Sequence, residues 1–175
     1  MSNFMNRIIR ALKLNASLFE EIEADKGAMG QAIGVVVLSS VATGLGGVYK
    51  GAMGIVVGII LALVSWYVWA YITYFIGTRF LPEPQTKADH GELLRTIGFA
   101  SAPGIFRVLG IFPVIRGMVF WVTTIWMLIA MVIAVRQALD YSSTFRAVGV
   151  CIIGWVVQAI ILLLLSFMFG GGKPA

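Results

Sequence analysis

The side chains able to do chemistry are few: one histidine, one cysteine and eight carboxylates in 175 residues. Metal-dependent chemistry needs clustered His, Cys or carboxylate donors. His90 has only Asp89 and Glu92 beside it, in a polar loop where a solvated imidazole is the expected state. A nucleophilic cysteine needs a base within reach. The run around Cys151, VGVCIIGWVV, offers no His and no acid, so its thiol is expected to pack as a small hydrophobe. Intramembrane proteolysis would require a Ser with a His, or paired aspartates, inside the bilayer, and neither set is written here. The Gly-rich ATGLGGVYKG lacks the strand-turn-helix context and the Lys-Ser/Thr ending of a phosphate loop. The expectation is a protein that is not an enzyme, with no catalytic residue, no cofactor and no metal.

What remains is recognition chemistry. Glu20, Glu21, Glu23 and Asp25 precede the first long apolar run; Asp89, Glu92 and Arg95 precede an interrupted one; Arg136, Asp140 and Arg146 lie between the last two. Mixed signs at one interface suit an internal polar network or a seat for a partner. Arg136 and Asp140 fall one helical turn apart, and Ser142 or Ser143 is placed to cap the last helix. Arg107 stands inside an apolar stretch and is the candidate contact for an anionic lipid head group. Thirteen Lys and Arg against eight acids is ordinary for basic loop ends, and no basic patch is interleaved with exposed aromatics, so nucleic acid is not an expected partner.

The elements that must position these groups are membrane helices. Hydrophobic residues make up 59% and charged residues 12% of the chain, which is membrane-class composition. Residues 1–26 carry too many charges for a cleaved signal and are expected to stay on the cytosolic side. Within them Phe4, Ile8 and Leu12 share a helical face among Arg7, Arg10 and Lys13, fitting a helix on an anionic leaflet or one packed on its own domain. Ser17 and Glu20 have capping-box spacing for a second helix. A membrane domain then covers 27–170, followed by a tail at 171–175. Its clear spans are 28–48 and 52–76, joined by a tight turn at Tyr49, Lys50 and Gly51, and 118–139 and 146–169. GxxxG spacings at Gly30 and Gly34, Gly47 and Gly51, and Gly54 and Gly58 predict close backbone approach. Trp66, Tyr67, Trp69, Tyr71 and Tyr74 are placed to anchor the inner half of the second span.

The stretch LLRTIGFASAPGIFR, residues 93–107, decides the topology. Eleven residues between Arg95 and Arg107 give about 16 Å of helix, half of a bilayer core. Extending to residue 115 gives a span, 96–115, interrupted at Pro103 and near Pro113 with Arg107 embedded. With five spans, nine Lys and Arg (7, 10, 13, 26, 79, 87, 95, 136, 146) lie inside against three (50, 116, 173) outside; with a re-entrant hairpin the ratio is ten to three. Both counts put the N-terminus inside, and neither chooses between a broken span and a hairpin.

Three blocks in order, FEEIEADKGAMGQAIGVVVLSS, TKADHGELLRTIGFASAPGIFRVLG and WMLIAMVIAVRQALDYSSTFRAVGVCIIGW, resemble the Yip1 domain family, specifically its bacterial branch. The resemblance implies an all-α polytopic bundle of five spans with the third broken at Pro103 and Gly104, a cytosolic N-terminus, and a bacterial cytoplasmic membrane. Eukaryotic relatives engage Rab GTPases and vesicle-forming machinery at Golgi and ER membranes and bring no catalytic activity. The N-terminal region of about 27 residues is shorter than the cytosolic segment of many of them, which argues against a Rab-like interaction. The expected function is a non-enzymatic scaffold or adaptor, contacting membrane lipids and an unidentified protein partner, alone, as a homo-oligomer or within a larger complex. A small transporter, channel or lipid-handling protein is the alternative.

Overall fold

Long apolar runs leave the backbone no water to bond, so each must close its hydrogen bonds within itself as a helix. The computed structural model describes residues 2–48 and 51–170, and seven α-helices account for most of them: α1 Ser2–Leu12, α2 Ala16–Ala24, α3 Met29–Thr43, α4 Gly51–Arg79, α5 His90–Ala100, α6 Arg116–Ala138 and α7 Thr144–Gly170. A 3-10 turn, Lys26–Ala28, leads into α3, and a π-helical turn, Gly44–Val48, follows it. Tyr49 and Lys50 of the expected turn, and the 171–175 tail, lie outside the described residues.

Among the described residues, four stretches are long and apolar enough to cross a bilayer: Lys26–Gly47, Gly51–Arg79, Arg116–Ala138 and Thr144–Ile161, with mean hydropathy between 1.6 and 2.4. In the most apolar part of the first, 44% of residues are buried, against 17% to 28% in the other three, so α3 is the centre of the bundle. Rows such as Val56, Ile60 and Val64 on α4, and Trp121, Ile125 and Ile129 on α6, stay exposed. That apolar outer surface suits acyl chains.

Between α4 and α6 the chain makes a different kind of path. The α-helix stops at Ala100, and a 3-10 segment, Ala102–Ile111, begins with Pro103 in its first turn. It runs beside α3 in the same direction: Arg95 reaches the carbonyls of Ile22 and Glu23, Gly98 lies on Ala32, Gly104 on Ser39, and Arg107 on Gly46. At about 2.0 Å per residue, ten 3-10 residues cover about 20 Å, where an α-helix would cover about 15 Å. Helix α6 then returns, with Phe120 near Gly46 and Met127 near Gly104. Arg116 closes the turn between them by donating to the Gly110 carbonyl at 2.9 Å while its guanidinium lies on Gly47.

The closest backbone approach falls at Gly46, which is not among the glycines predicted from GxxxG spacing; of those, Gly47 meets the Arg116 guanidinium. A Cβ added at Gly46 would sit 2.2 Å from the Arg107 carbonyl oxygen, whereas one at Gly30 would meet nothing within 4 Å. Spacing on one helix cannot report where a second backbone passes.

The amphipathic α1 packs on its own domain. Ile8, Ala11 and Arg7 are buried, and Trp126 Nε1 donates to the Leu12 carbonyl at 3.0 Å. Leu14, in a left-handed conformation (φ 56°), ends α1 with the Asn15 amide bonded back to the Arg10 carbonyl. Asn15 therefore stands at the start of α2, and the box predicted at Ser17 and Glu20 is not formed there. Two cores result, one under α1, α2 and α3, the other among α4, the α6–α7 turn and α7, with α5 and α6 contributing to both; Cys151 packs in the second.

Replacing Gly46 by Ala is expected to cost about 1–3 kcal/mol through overpacking against a backbone that cannot yield. Gly30→Ala should be neutral or stabilising by up to about 1 kcal/mol. Thermal unfolding of the two variants in lipid nanodiscs measures the contrast, and equal behaviour would refute the packing described.

Candidate functional site

Helix α2 ends pointing its last carbonyls at α5. Arg95, buried, donates through Nε to the Ile22 carbonyl at 3.0 Å and through Nη2 to the Glu23 carbonyl, satisfying groups that an isolated helix end leaves bare. Its register comes from a capping box at the start of α5, where Asp89 Oδ1 accepts from the Glu92 amide and Glu92 Oε2 from the Asp89 amide, both at 2.8 Å.

Helix α2 forms one wall of a cavity of about 860 Å³. Glu20 and Glu23 from α2 face Lys87 from the α4–α5 loop, and Arg136 and Asp140 from the end of α6, with Gln85, Gln137 and Tyr141 completing the wall. Asp140 is left-handed (φ 52°), which turns the chain out of α6. The pair predicted at one-turn spacing is therefore not made as an ion pair: Arg136 donates to the carbonyls of Tyr141 and Ser142 at 3.2 Å each, and Asp140 Oδ2 accepts from the Lys87 amide at 3.3 Å. Glu20 accepts from Gln137 at 2.6 Å. Glu23 Oε2 is buried with no hydrogen-bond partner. Burial, reinforced by the charges of Asp140, Glu92 and Glu20, pushes the Glu23 carboxyl up to about 7.

The remaining predicted charges lie outside this cavity. Glu21 and Asp25 pair with the buried Arg7, at 2.9 and 2.7 Å, and Glu21 also pairs with Arg10; Arg10 and then Arg7 hold Glu21 below the usual carboxylate range, and Arg7 does the same for Asp25. Arg146 lies 3.5 Å from Glu83 and donates to the Pro82 carbonyl. Glu83 is the main residue that sequence reasoning missed. It accepts from the Ser142 amide and hydroxyl and the Ser143 amide just ahead of α7, and these bonds hold it down at about 2. Ser142, expected to cap α7, thus spends its hydroxyl on Glu83. Tyr141 was also missed; its buried hydroxyl lies 2.9 and 2.7 Å from the Gly77 and Leu81 carbonyls, and burial raises it to about 12.

His90 is not solvated as predicted. It is the first residue of α5, its ring lies 4.9, 5.6 and 6.2 Å from those of Tyr67, Tyr71 and Tyr74, and both ring nitrogens are buried. Burial lowers its affinity for a proton. Of the expected aromatic anchors, Tyr67 and Tyr71 face outward, while Trp69 is buried near Trp155 and Trp66 Nε1 bonds to the Leu94 carbonyl. No group of three metal-binding side chains exists among the described residues.

Arg107 lies midway along the 3-10 segment. Its Nε is 3.2 Å from Thr123 Oγ1, its Nη2 3.0 Å from Thr124 Oγ1, and its guanidinium carbon 5.2 Å from the Phe120 ring centre.

The family model for the Yip1 domain matches residues 15–171, which include every element from α2 to α7. The chain belongs to the Yip1 domain family. Neither a curated protein nor a solved structure matches it. Its four long apolar helices make this Yip1-domain protein an integral membrane protein.

The two perturbed glutamates make opposite predictions for stability. Glu23 binds its proton more tightly folded than unfolded, so its ionisation destabilises the native state progressively from about pH 4.5 to about 7. Glu23→Gln should therefore gain in Tm over wild type across that window, with little difference below it. Glu83 is the reverse: its stabilisation is complete above about pH 4.5 and fades as pH falls toward about 2. Glu83→Gln should lower Tm at neutral pH and converge on wild type in acid. Melting in nanodiscs as a function of pH reads both.

Proposed function

We propose that this Yip1-domain protein is a non-enzymatic membrane adaptor, and that the cavity between α2, the α4–α5 loop and the end of α6 faces the cytosol and seats a basic segment of a partner protein. The observation that carries the reading is Glu23: a buried carboxyl oxygen without a hydrogen-bond partner, in a cavity whose wall holds three acids against two bases. A lysine or arginine from outside supplies what that carboxyl lacks, and ionises it. The acids that could have competed, Glu21 and Asp25, are already neutralised by Arg7 and Arg10.

The same reading takes the chain across the membrane five times, with residues 96–115 as a third crossing interrupted at Pro103 and Gly104. Its support is the run of contacts along α3 and the turn after it, from Gly98 on Ala32 to Arg107 on Gly46, and the extended rise of the 3-10 segment. Basic residues then concentrate on the side of the N-terminus, which fits the cytosol, and the likeness of the three sequence blocks to the bacterial branch of the family supports a bacterial cytoplasmic membrane. The alternative of transport or lipid handling draws on Arg107 and is pursued below.

Two measurements test this. In a Cys151→Ala background, single cysteines at Gln85 and Val114 should label from opposite faces of sealed, oriented vesicles; labelling from the same face would establish the re-entrant hairpin instead. A photo-crosslinking residue at Gln85 should capture one protein in the native membrane, with the yield lost in Glu20→Lys/Asp140→Lys at unchanged Tm. Crosslinks to lipid alone, or capture indifferent to the charge reversal, would remove the adaptor reading.

A further inference from the structure

A second cavity, of about 210 Å³, lies within the bundle and is walled by α3, α4, the α5 break and α6. Beside the apolar Val36, Ala62 and Met127, its lining carries polar groups where the surrounding helices have few: Ser39, Ser40 and Thr43 from α3, Ser101 from the break, and Arg107. Ala62 of α4 lies eleven residues from Gly51, about 16 Å along the helix, near mid-bilayer. Serine and threonine at that depth commonly serve helix packing, but an arginine there is costly and by default marks a functional site.

The hydroxyls divide into two kinds. Thr43 and Ser101 donate to the carbonyls of Ser39 and Gly98, at 2.8 and 2.6 Å. Ser40 is 6% exposed and its hydroxyl has no partner. It lines the cavity together with the equally buried Ser39 and with Arg107, and an unmade hydrogen bond in such a place costs as much as any in the core. Arg107 is itself oriented. Thr123 gives its own proton to the Val119 carbonyl at 2.8 Å and so presents a lone pair to Arg107 Nε, while Thr124 takes Nη2. A fixed guanidinium and buried hydroxyls that can donate are the donor set for an oxyanion. The volume admits one small oxyanion with a few waters.

We infer that this cavity is an anion site inside the membrane domain, taking a phosphate-type oxyanion that is either free inorganic phosphate or the head group of an anionic phospholipid. Arg107 supplies the charge, Ser40 and Ser39 supply hydroxyl donors, and the 3-10 segment makes the room by carrying Gly104 rather than a side chain against Ser39. The site is independent of the adaptor reading, since the two cavities share no lining residue.

The test is thermal melting of the full chain in phosphatidylcholine nanodiscs, in two arms. In one, inorganic phosphate is titrated at constant ionic strength against gluconate; in the other, phosphatidylglycerol replaces part of the phosphatidylcholine. A saturable rise in Tm with phosphate assigns a free anion, and a rise with phosphatidylglycerol alone assigns the head group. In whichever arm responds, Ser40→Ala should weaken the midpoint about tenfold, the loss of one hydrogen bond to a charged group, and Arg107→Gln should abolish the response. Ser40→Ala removes a single oxygen and keeps the test decisive if Arg107→Gln does not fold. No saturable rise in either arm, or a response unchanged in Ser40→Ala, overturns the proposal and leaves the cavity to water.

Discussion

The constraint on which the rest depends is the distance between α3 and the path from α5 through the 3-10 segment. Where Gly46 faces the Arg107 carbonyl and Gly98 faces Ala32, no side chain fits between the two backbones. In lipid, where burial of apolar surface gives little reward for helix association, such close packing is what holds helices together. It also explains why an interrupted segment is tolerated. The freed backbone groups are enclosed by α3 and α6 instead of lipid, and 3-10 bonding satisfies most of them locally. One consequence of stretching ten residues along α3 is that Arg107 is fixed beside Thr123 and Thr124 on α6.

The opposite end is organised by charge. Arg95 closes the carbonyl end of α2, and Arg7 closes the acidic face of the same helix against α1 and Gln31. Both guanidiniums are almost wholly buried, and both spend their donors on groups fixed in place, so neither is left as an uncompensated charge. Glu83 does the equivalent for the start of α7, taking amides that a helix N-terminus exposes and offers to anions. With these pairings made, Glu23 stands out as the carboxyl whose surroundings are mostly like-charged.

How much of this was legible in the sequence depends on the range of the interaction. Four helices were legible because an apolar run of span length has few alternatives, and their centres fall where expected. The stretch from 96 to 115 was ambiguous because its first half is buried against protein: arginine, proline and glycine lower its hydropathy without reporting what shields it. Capping chemistry is local, yet Ser17 and Glu20 show the same spacing as Asp89 and Glu92, and only the latter pair forms the box. The difference lies in the left-handed Leu14, which restarts the helix two residues too early for Ser17 to cap it. Arg7, Glu83 and Tyr141 were illegible because their partners lie 14 to 64 residues away and no periodicity links them. The charged clusters were legible as clusters, but their pairing was not: Arg136 and Asp140 sit one turn apart in sequence, and the helix ends before that turn is complete.

The two cavities then follow from one arrangement. A helix that stopped at Ala100 and turned back would leave the charges at the Arg95 end exposed to water and would place no hydroxyls beside Arg107. Continuing along α3 instead requires that α5 begin at the charged end, where its capping box and Arg95 set the wall around Glu23. It equally requires that the segment finish beside Gly46, with Arg107 turned back toward α6 and the serines of α3. Substitutions that shift this segment along α3 should therefore disturb both cavities together, whereas changes to Glu23 or Ser40 should act on one alone. The coupling is mechanical, through a single stiff and closely packed element, and needs no chain of side-chain contacts between the two ends.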